Sequence, residues 1–421
     1  MMRETLKRVR MPSKASQRLL YALVFCSGAC GLMYEVTWHR YLAILLGAQA
    51  RATAVVLAIF LGGISVGYAA FGRWSRWKPW NLLLVYSFVE VGLGVWGVCF
   101  PGLFHLAMPM TADLYARLGV TNIGIDLFVS VLLIGFPTFL MGGTLPLLTQ
   151  GISRDFWEAS LTHARIYGFN TVGACFGCLL AGFWLIPSTS LGWTVQCAGA
   201  MNLFIGSFAY FFFARQGGVH REVEGPSETR LKRAGVSERQ VVLLGIGFLS
   251  GFYLITLQTV LMRLMGLSTG ASNYTFSLVV SLFIFCLGVS SLLVRGIGNS
   301  GFERLFWNQL AVVGLLFLLY VSGDYWSYGV HVLRASLRDL PETFYFYQFL
   351  LAAGFLAVLV LPLGFCGFTL PLCFHLIKDT KEGLGLRVGQ LYGINSLGCV
   401  LGALLGGYWL LNYLNLDQLF K

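Results

Sequence analysis

Charge is what this chain has least of. Asp, Glu, Lys and Arg together make up 11% of 421 residues, against about 25% in a soluble domain. Only two of the 18 acids, Glu35 and Glu90, lie well inside the apolar runs, away from their ends. Alternating segments of about ten residues are missing, which excludes a transmembrane barrel. No Gly-rich phosphate loop with its lysine, zinc signature or serine-nucleophile elbow is present, so no metal, cofactor or catalytic residue is assigned. The stretch Gly62-Gly63-Ile64-Ser65-Val66-Gly67 lies within an apolar run and is not a nucleotide loop. All ten cysteines also fall in apolar runs. Cys175 and Cys178, flanked by glycines with no second pair, read as small packing residues.

What is present is grease in long runs. Hydrophobic residues make up 57%, and stretches of about 20 apolar residues, each long enough to cross a bilayer, recur throughout. The expected fold is an all-α polytopic membrane protein with eleven spans. They fall near 19–46, 53–72, 81–107, 125–149, 163–186, 193–214, 240–267, 273–294, 304–322, 345–376 and 388–411. Segments 108–124 and 323–344 are expected as loops on the outer side.

The chain also repeats itself. Residues 136–185 and 361–410 align without a gap at an offset of 225. Thr144-Leu145-Pro146-Leu147 returns as Thr369-Leu370-Pro371-Leu372, and Tyr167-Gly168-Phe169-Asn170 as Tyr392-Gly393-Ile394-Asn395. Ser27-Gly28, Arg40 and Gly47 return as Ser250-Gly251, Arg263 and Gly270 at an offset of 223. The implied organisation is a basic segment at 1–18, a first six-helix repeat at 19–214, a linker at 215–239 and a second repeat at 240–421. The second repeat is read as truncated after its fifth helix. An even number of spans per repeat gives both the same orientation, the parallel arrangement of major-facilitator halves.

Twenty-two of the 29 basic residues fall on the side of the N-terminus and five on the other, with Arg40 and Arg263 inside spans. That bias predicts a cytoplasmic N-terminus in a bacterial inner membrane. It also accounts for the net charge of +11 without nucleic acid, the natural partner being anionic lipid at the cytoplasmic face.

Two features carry the expected chemistry. Spans four and ten each hold two prolines nine residues apart, Pro137 and Pro146, Pro362 and Pro371, with Gly142 and Thr144, or Gly367 and Thr369, between them. Proline removes an amide donor and clashes with the preceding turn, so both helices are expected to kink or unwind. Interrupted helices at matching positions point to a binding site, and a kink that only shapes packing is the plainer alternative. The second feature is the acids: a carboxyl at mid-bilayer needs a partner or a wet cavity. Glu35 and Glu90 are therefore candidates to neutralise a solute or carry a proton, with His39 one turn from Glu35 and Arg40 as a partner. An ion pair locking spans one and three is the structural alternative. Gln258 stands where the first repeat has Glu35. Arg263, Asn170 and Asn395 complete the candidate set, against snorkelling for the arginines and helix-capping or cross-linking for the asparagines. The spacing-four glycines Gly173 and Gly177, with their mates Gly398 and Gly402, read as helix packing.

Ser27-Gly28, Tyr34-Glu35-Val36, Trp38, Arg40 and Leu61-Gly62-Gly63 through Gly67, with Met141-Gly142-Gly143-Thr144-Leu145-Pro146-Leu147 and the Tyr167–Gly177 stretch, resemble the spermidine-synthase-like membrane proteins. These are often described as fused major-facilitator and spermidine-synthase proteins. The resemblance covers most of residues 19–411. It implies an inner-membrane protein whose relatives often carry a cytosolic aminopropyltransferase-like domain using decarboxylated S-adenosylmethionine and putrescine. No segment here matches that domain, so catalysis is carried over to no residue. The expected function is binding or moving a small polar solute, a polyamine or related metabolite among the candidates. The alternatives are a non-transporting subunit or scaffold that docks a membrane, periplasmic, enzymatic or electron-transfer partner, and the membrane part of an aminopropyltransferase.

Overall fold

The computed structural model describes residues 14–77, 81–118, 123–152, 156–214, 238–293, 301–337, 340–378 and 384–420. Residues 1–13 of the basic lead-in and 215–237 of the linker lie outside them. Every long element is helical: α1 Lys14–Leu46, α2 Gln49–Trp77, α3 Leu82–Leu118, α4 Ile123–Ile152, α5 Phe156–Leu180, α6 Leu191–Ala214, α7 Glu238–Thr269, α8 Asn273–Leu293, α9 Phe302–Ser336, α10 Phe344–Lys378 and α11 Leu384–Leu401. Among the described residues these eleven are long and apolar enough to cross a membrane. The molecule is a multi-pass membrane protein. A short α12, Leu416–Phe420, follows α11.

The two expected outer loops are largely helix. α3 runs on to Leu118 and α9 to Ser336. Pro109 lies inside α3 and is accommodated there.

Small residues set the packing. α1 lies on α5 and α7 on α11, and the contacts repeat in detail. A Cβ at Gly173 or Gly177 would overlap the Phe25 or Ala29 carbonyl; one at Gly398 or Gly402 would overlap that of Phe248 or Phe252. Gly28 and Gly251 in turn receive the backbone carbonyls of Asn170 and Asn395. Without a hydrophobic driving force between helices in lipid, this close backbone approach is what holds them. α2 packs on α4 through Gly63 and Gly67 against Thr138 and Phe139.

Helices α1–α6 and α7–α11 meet along two lines, α2 against α11 and α5 against α8. We call the side where α1 begins the basic side, and the side where it ends the far side. On the first line Ala54, Leu57 and Ala58 face Ala403 and Gly407. On the second, Cys178 and Gly182 lie on Ser277. Both groups sit toward the far side.

Two helices depart from α geometry at matching positions. α5 continues through a π-helical segment, Ala181–Leu185, and α11 through Gly402–Trp409. The sequence there is itself repeated: Ala181-Gly182-Phe183-Trp184 returns as Gly406-Gly407-Tyr408-Trp409. Such segments concentrate at functional sites.

Candidate functional site

The prolines of α4 and α10 do not unwind their helices. Both run unbroken through Pro137 and Pro146, and through Pro362 and Pro371. The reason is local compensation. Pro137 cannot donate to the carbonyl of Leu133, and the indole N–H of Trp96 on α3 donates to it instead, at 3.0 Å. Thr138 and Thr144 hydroxyls donate to the Gly135 and Met141 carbonyls at 2.9 and 2.8 Å. Thr369 is wholly buried and accepts from Asn308 and Gln309 of α9 at 3.1 and 2.9 Å. The hydroxyls of Thr144 and Thr369 are thus both engaged within the protein. Gly142 and Gly367 serve close packing, against Ile64 and Ser290. Pro137 and Pro362 are buried in protein and do not face lipid.

The two acids part company. Glu90 is wholly buried within the first six helices, where Ser27 of α1 donates to one oxygen at 2.6 Å and Asn202 of α6 to the other at 2.6 Å. It ties α1, α3 and α6 together and does not face the second set of helices, contrary to the expectation of a solute-facing acid. Arg40 pairs with neither acid.

Glu35 sits elsewhere. It is 4% exposed, and no hydrogen bond to it is made by any described residue. Its environment is the seam, near Cys178 of α5, whose thiol reaches the Ser277 carbonyl of α8 at 3.5 Å. One turn along, His39 shares a hydrogen bond with Thr53 of α2, Nε2 to Oγ1 at 2.9 Å. Its ring stacks on Phe276 of α8 with centroids 3.9 Å apart. His39 thus joins α1 and α2 to the second set of helices. His39 Nδ1, Ser277 Oγ and Asn273 Oδ1 are all buried without a protein partner. A buried polar group left so costs about 1–3 kcal/mol, so this seam is where water, a proton or a solute group is wanted.

On the basic side the seam opens. In α5 the residues touching α1 (Gly173, Gly177) and those touching α8 (Cys175, Cys178, Gly182) occupy neighbouring faces. At 100° per residue Tyr167 falls between those faces, pointing inward. It is nevertheless 45% exposed, as is its repeat mate Tyr392, with Tyr68 of α2 at 40%. Tyr167 and Tyr392 lie well inside their helices, which begin at Phe156 and Leu384. Tyr68 and Tyr167 both lie within electrostatic reach of Tyr392. Exposure of a side chain on an inward face means that the neighbouring bundle does not cover it there.

The remaining candidates touch neighbouring helices. Asn395 donates to the Gly247 carbonyl at 2.8 Å and ties α11 to α7. Asn170 is half-buried, its backbone against Gly28. Arg263 donates to the Gly407 carbonyl at 3.1 Å, within the π segment of α11. Sequence reasoning missed Asn202, Thr53, Phe276 and Tyr68. Asn202 carried a usable signal, an amide inside an apolar span; Phe276 carried none.

No family model matches the chain. Polyamine aminopropyltransferase 1 of Streptomyces coelicolor is 27% identical over 209 residues, 49% of this chain and 36% of that protein. Polyamine aminopropyltransferase of Corynebacterium efficiens is 28% identical over 194 residues, 45% and 34% of the two chains. The chain spans about a third of the length of the curated relatives it matches. Among solved structures, a mutant of the nucleoside transporter NupG superposes with a TM-score of 0.56 at 14% identity, over 96% of this chain and 95% of that one. The fold is major-facilitator-like. At that identity the likeness speaks for architecture alone.

Proposed function

We propose that the chain is a solute transporter whose bundles, 19–214 and 240–421 joined by the linker 215–239, rock about the seam. The observation that carries this reading is the asymmetry of the seam. It is closed on the far side by His39 on Phe276 and Cys178 on Ser277, and open on the basic side at Tyr68, Tyr167 and Tyr392. That is one of the two states alternating access requires. In this reading the basic side is cytoplasmic and meets anionic lipid, and the membrane is the bacterial inner membrane.

The solute is small and polar. Glu35 is the single carboxyl at the seam among the described residues and meets one positive charge or carries one proton. Further ammonium groups of a polyamine would find tyrosine faces, which attract cations. The names of the curated relatives make polyamines the first solutes to try. The test is uptake by the purified chain in proteoliposomes, with putrescine, spermidine and a neutral nucleoside as separate probes. Glu35→Gln should lose uptake while Glu90→Gln keeps it. Wild-type uptake by Glu35→Gln would remove the seam carboxyl from the mechanism.

A second reading is favoured by the similarity to aminopropyltransferases over membrane sequence: the chain docks or serves a polyamine-handling enzyme. Stoichiometric co-purification of such an enzyme, with no uptake of any probe, would favour it.

A further inference from the structure

Arg40 and Arg263 are repeat mates at an offset of 223, yet their guanidinium groups are treated differently. Arg263 donates to the Gly407 carbonyl. Arg40 makes no hydrogen bond or ion pair with any described residue, and its Nε is buried without a partner. It lines a pocket of about 340 Å³ with Ala43, Ile44, Gly47, Ala48, Gln49 and Leu191. None of those residues is acidic.

The polar groups around Arg40 favour negative charge. Gly47 takes a positive φ of 67°, a left-handed turn that brings the start of α2 at Gln49 round beside Arg40. α6 begins at Leu191 on the opposite wall. The first amides of a helix have no partner within it and carry partial positive charge. The Ser190 hydroxyl accepts the Trp193 amide there, at 3.2 Å. The Gln49 side chain adds an amide. Arg40 stands six residues before the end of α1 at Leu46, roughly 9 Å along the helix.

We infer that this pocket binds a phosphate-class anion, the guanidinium fork of Arg40 taking two of its oxygens and the start of α2 a third. The chemistry is shared by the phosphodiester of an anionic lipid and by a free phosphate. The site lies outside the seam between the bundles and does not depend on transport.

The experiment compares the full chain with Arg40→Gln, Gln49→Glu and Arg334→Gln. Gln49→Glu places a carboxylate in the pocket at a helix start, where acids stabilise helices, so it keeps the fold while supplying an internal counter-ion. Arg334→Gln removes one charge from the same side away from the pocket. In the lipid arm, each chain is taken from equimolar phosphatidylglycerol–phosphatidylcholine vesicles and its retained lipid read by native mass spectrometry. In the second arm, the delipidated chain is melted with and without inorganic phosphate. Retention of phosphatidylglycerol by wild type and Arg334→Gln, reduced roughly tenfold or more in the other two, identifies a headgroup site. A phosphate-induced rise in melting temperature confined to wild type and Arg334→Gln, without lipid preference, identifies a free-anion site. Should Arg40→Gln not fold, Gln49→Glu decides alone. Indistinguishable behaviour of the folded chains in both arms overturns the inference.

Discussion

Replacing Glu90 separates a structural acid from a functional one. Its carboxyl is wholly buried and accepts from Ser27 and Asn202, both at 2.6 Å. Glu90→Ala leaves those two donors without an acceptor in a dry bundle, and each orphaned group costs about 1–3 kcal/mol, roughly 2–6 in all. For a unit of about 200 residues, roughly 2–4 °C of melting temperature accompanies each kcal/mol, so the expected fall is on the order of 5–20 °C. Glu90→Gln keeps the shape and one acceptor. Asn202 Oδ1, which has no partner now, then accepts from the new amide once its own amide turns over. The loss should stay near one hydrogen bond, about 1 kcal/mol. The assay is thermal challenge in detergent read by size-exclusion fluorescence, with uptake measured on the surviving protein. Unchanged melting of Glu90→Ala together with lost uptake would refute the reasoning and return Glu90 to the solute path.

Trp96→Phe strips the Leu133 carbonyl of its indole donor and should cost about 1–2 kcal/mol. Pro137→Ala restores an amide for that carbonyl, so the double variant should melt within a degree or two of Pro137→Ala alone; strict additivity in the cycle would contradict the compensation. Phe276→Ala removes the ring under His39, worth about 0.5–1.5 kcal/mol. It should raise the population open on the far side by roughly two- to tenfold, read as faster labelling of a cysteine placed at Ala54; unchanged labelling counts against the closed seam. Gly173→Leu and Gly398→Leu should each abolish monodisperse expression, because their side chains meet the Phe25 and Phe248 carbonyls. A folded Gly398→Leu would show that the repeat contacts are not equivalent.

Much of the fold was legible because lipid imposes a coarse rule. Spans must be long, apolar and helical, and the glycines at spacing four announced which helices touch backbone to backbone. The lengths of α3 and α9 were not legible, since a polar helical extension beyond the bilayer reads like a loop. The site was half legible. Glu35 and His39 stand out as ionisable residues in a span, and they do sit where the bundles meet. Glu90 stands out equally and lies inside one bundle, because the sequence does not reveal which side of α3 faces α6. The prolines misled for a different reason. Proline marks a missing donor, but a tryptophan 41 residues earlier supplied one. The repeated small-Gly-aromatic-Trp motif at the π segments was available and carried the more reliable mark of distorted helix.

Water access to the basic side of the seam tests the central claim most directly. Single cysteines replacing Tyr167 and Tyr392 in a chain cleared of its ten native cysteines would be exposed to a membrane-impermeant maleimide in proteoliposomes. A hydrated cavity between the bundles predicts that both react from the basic side and that neither reacts from the far side. If both stayed unmodified while a control cysteine at Arg165 reacted, the space would be dry and the transporter reading would lose its physical basis.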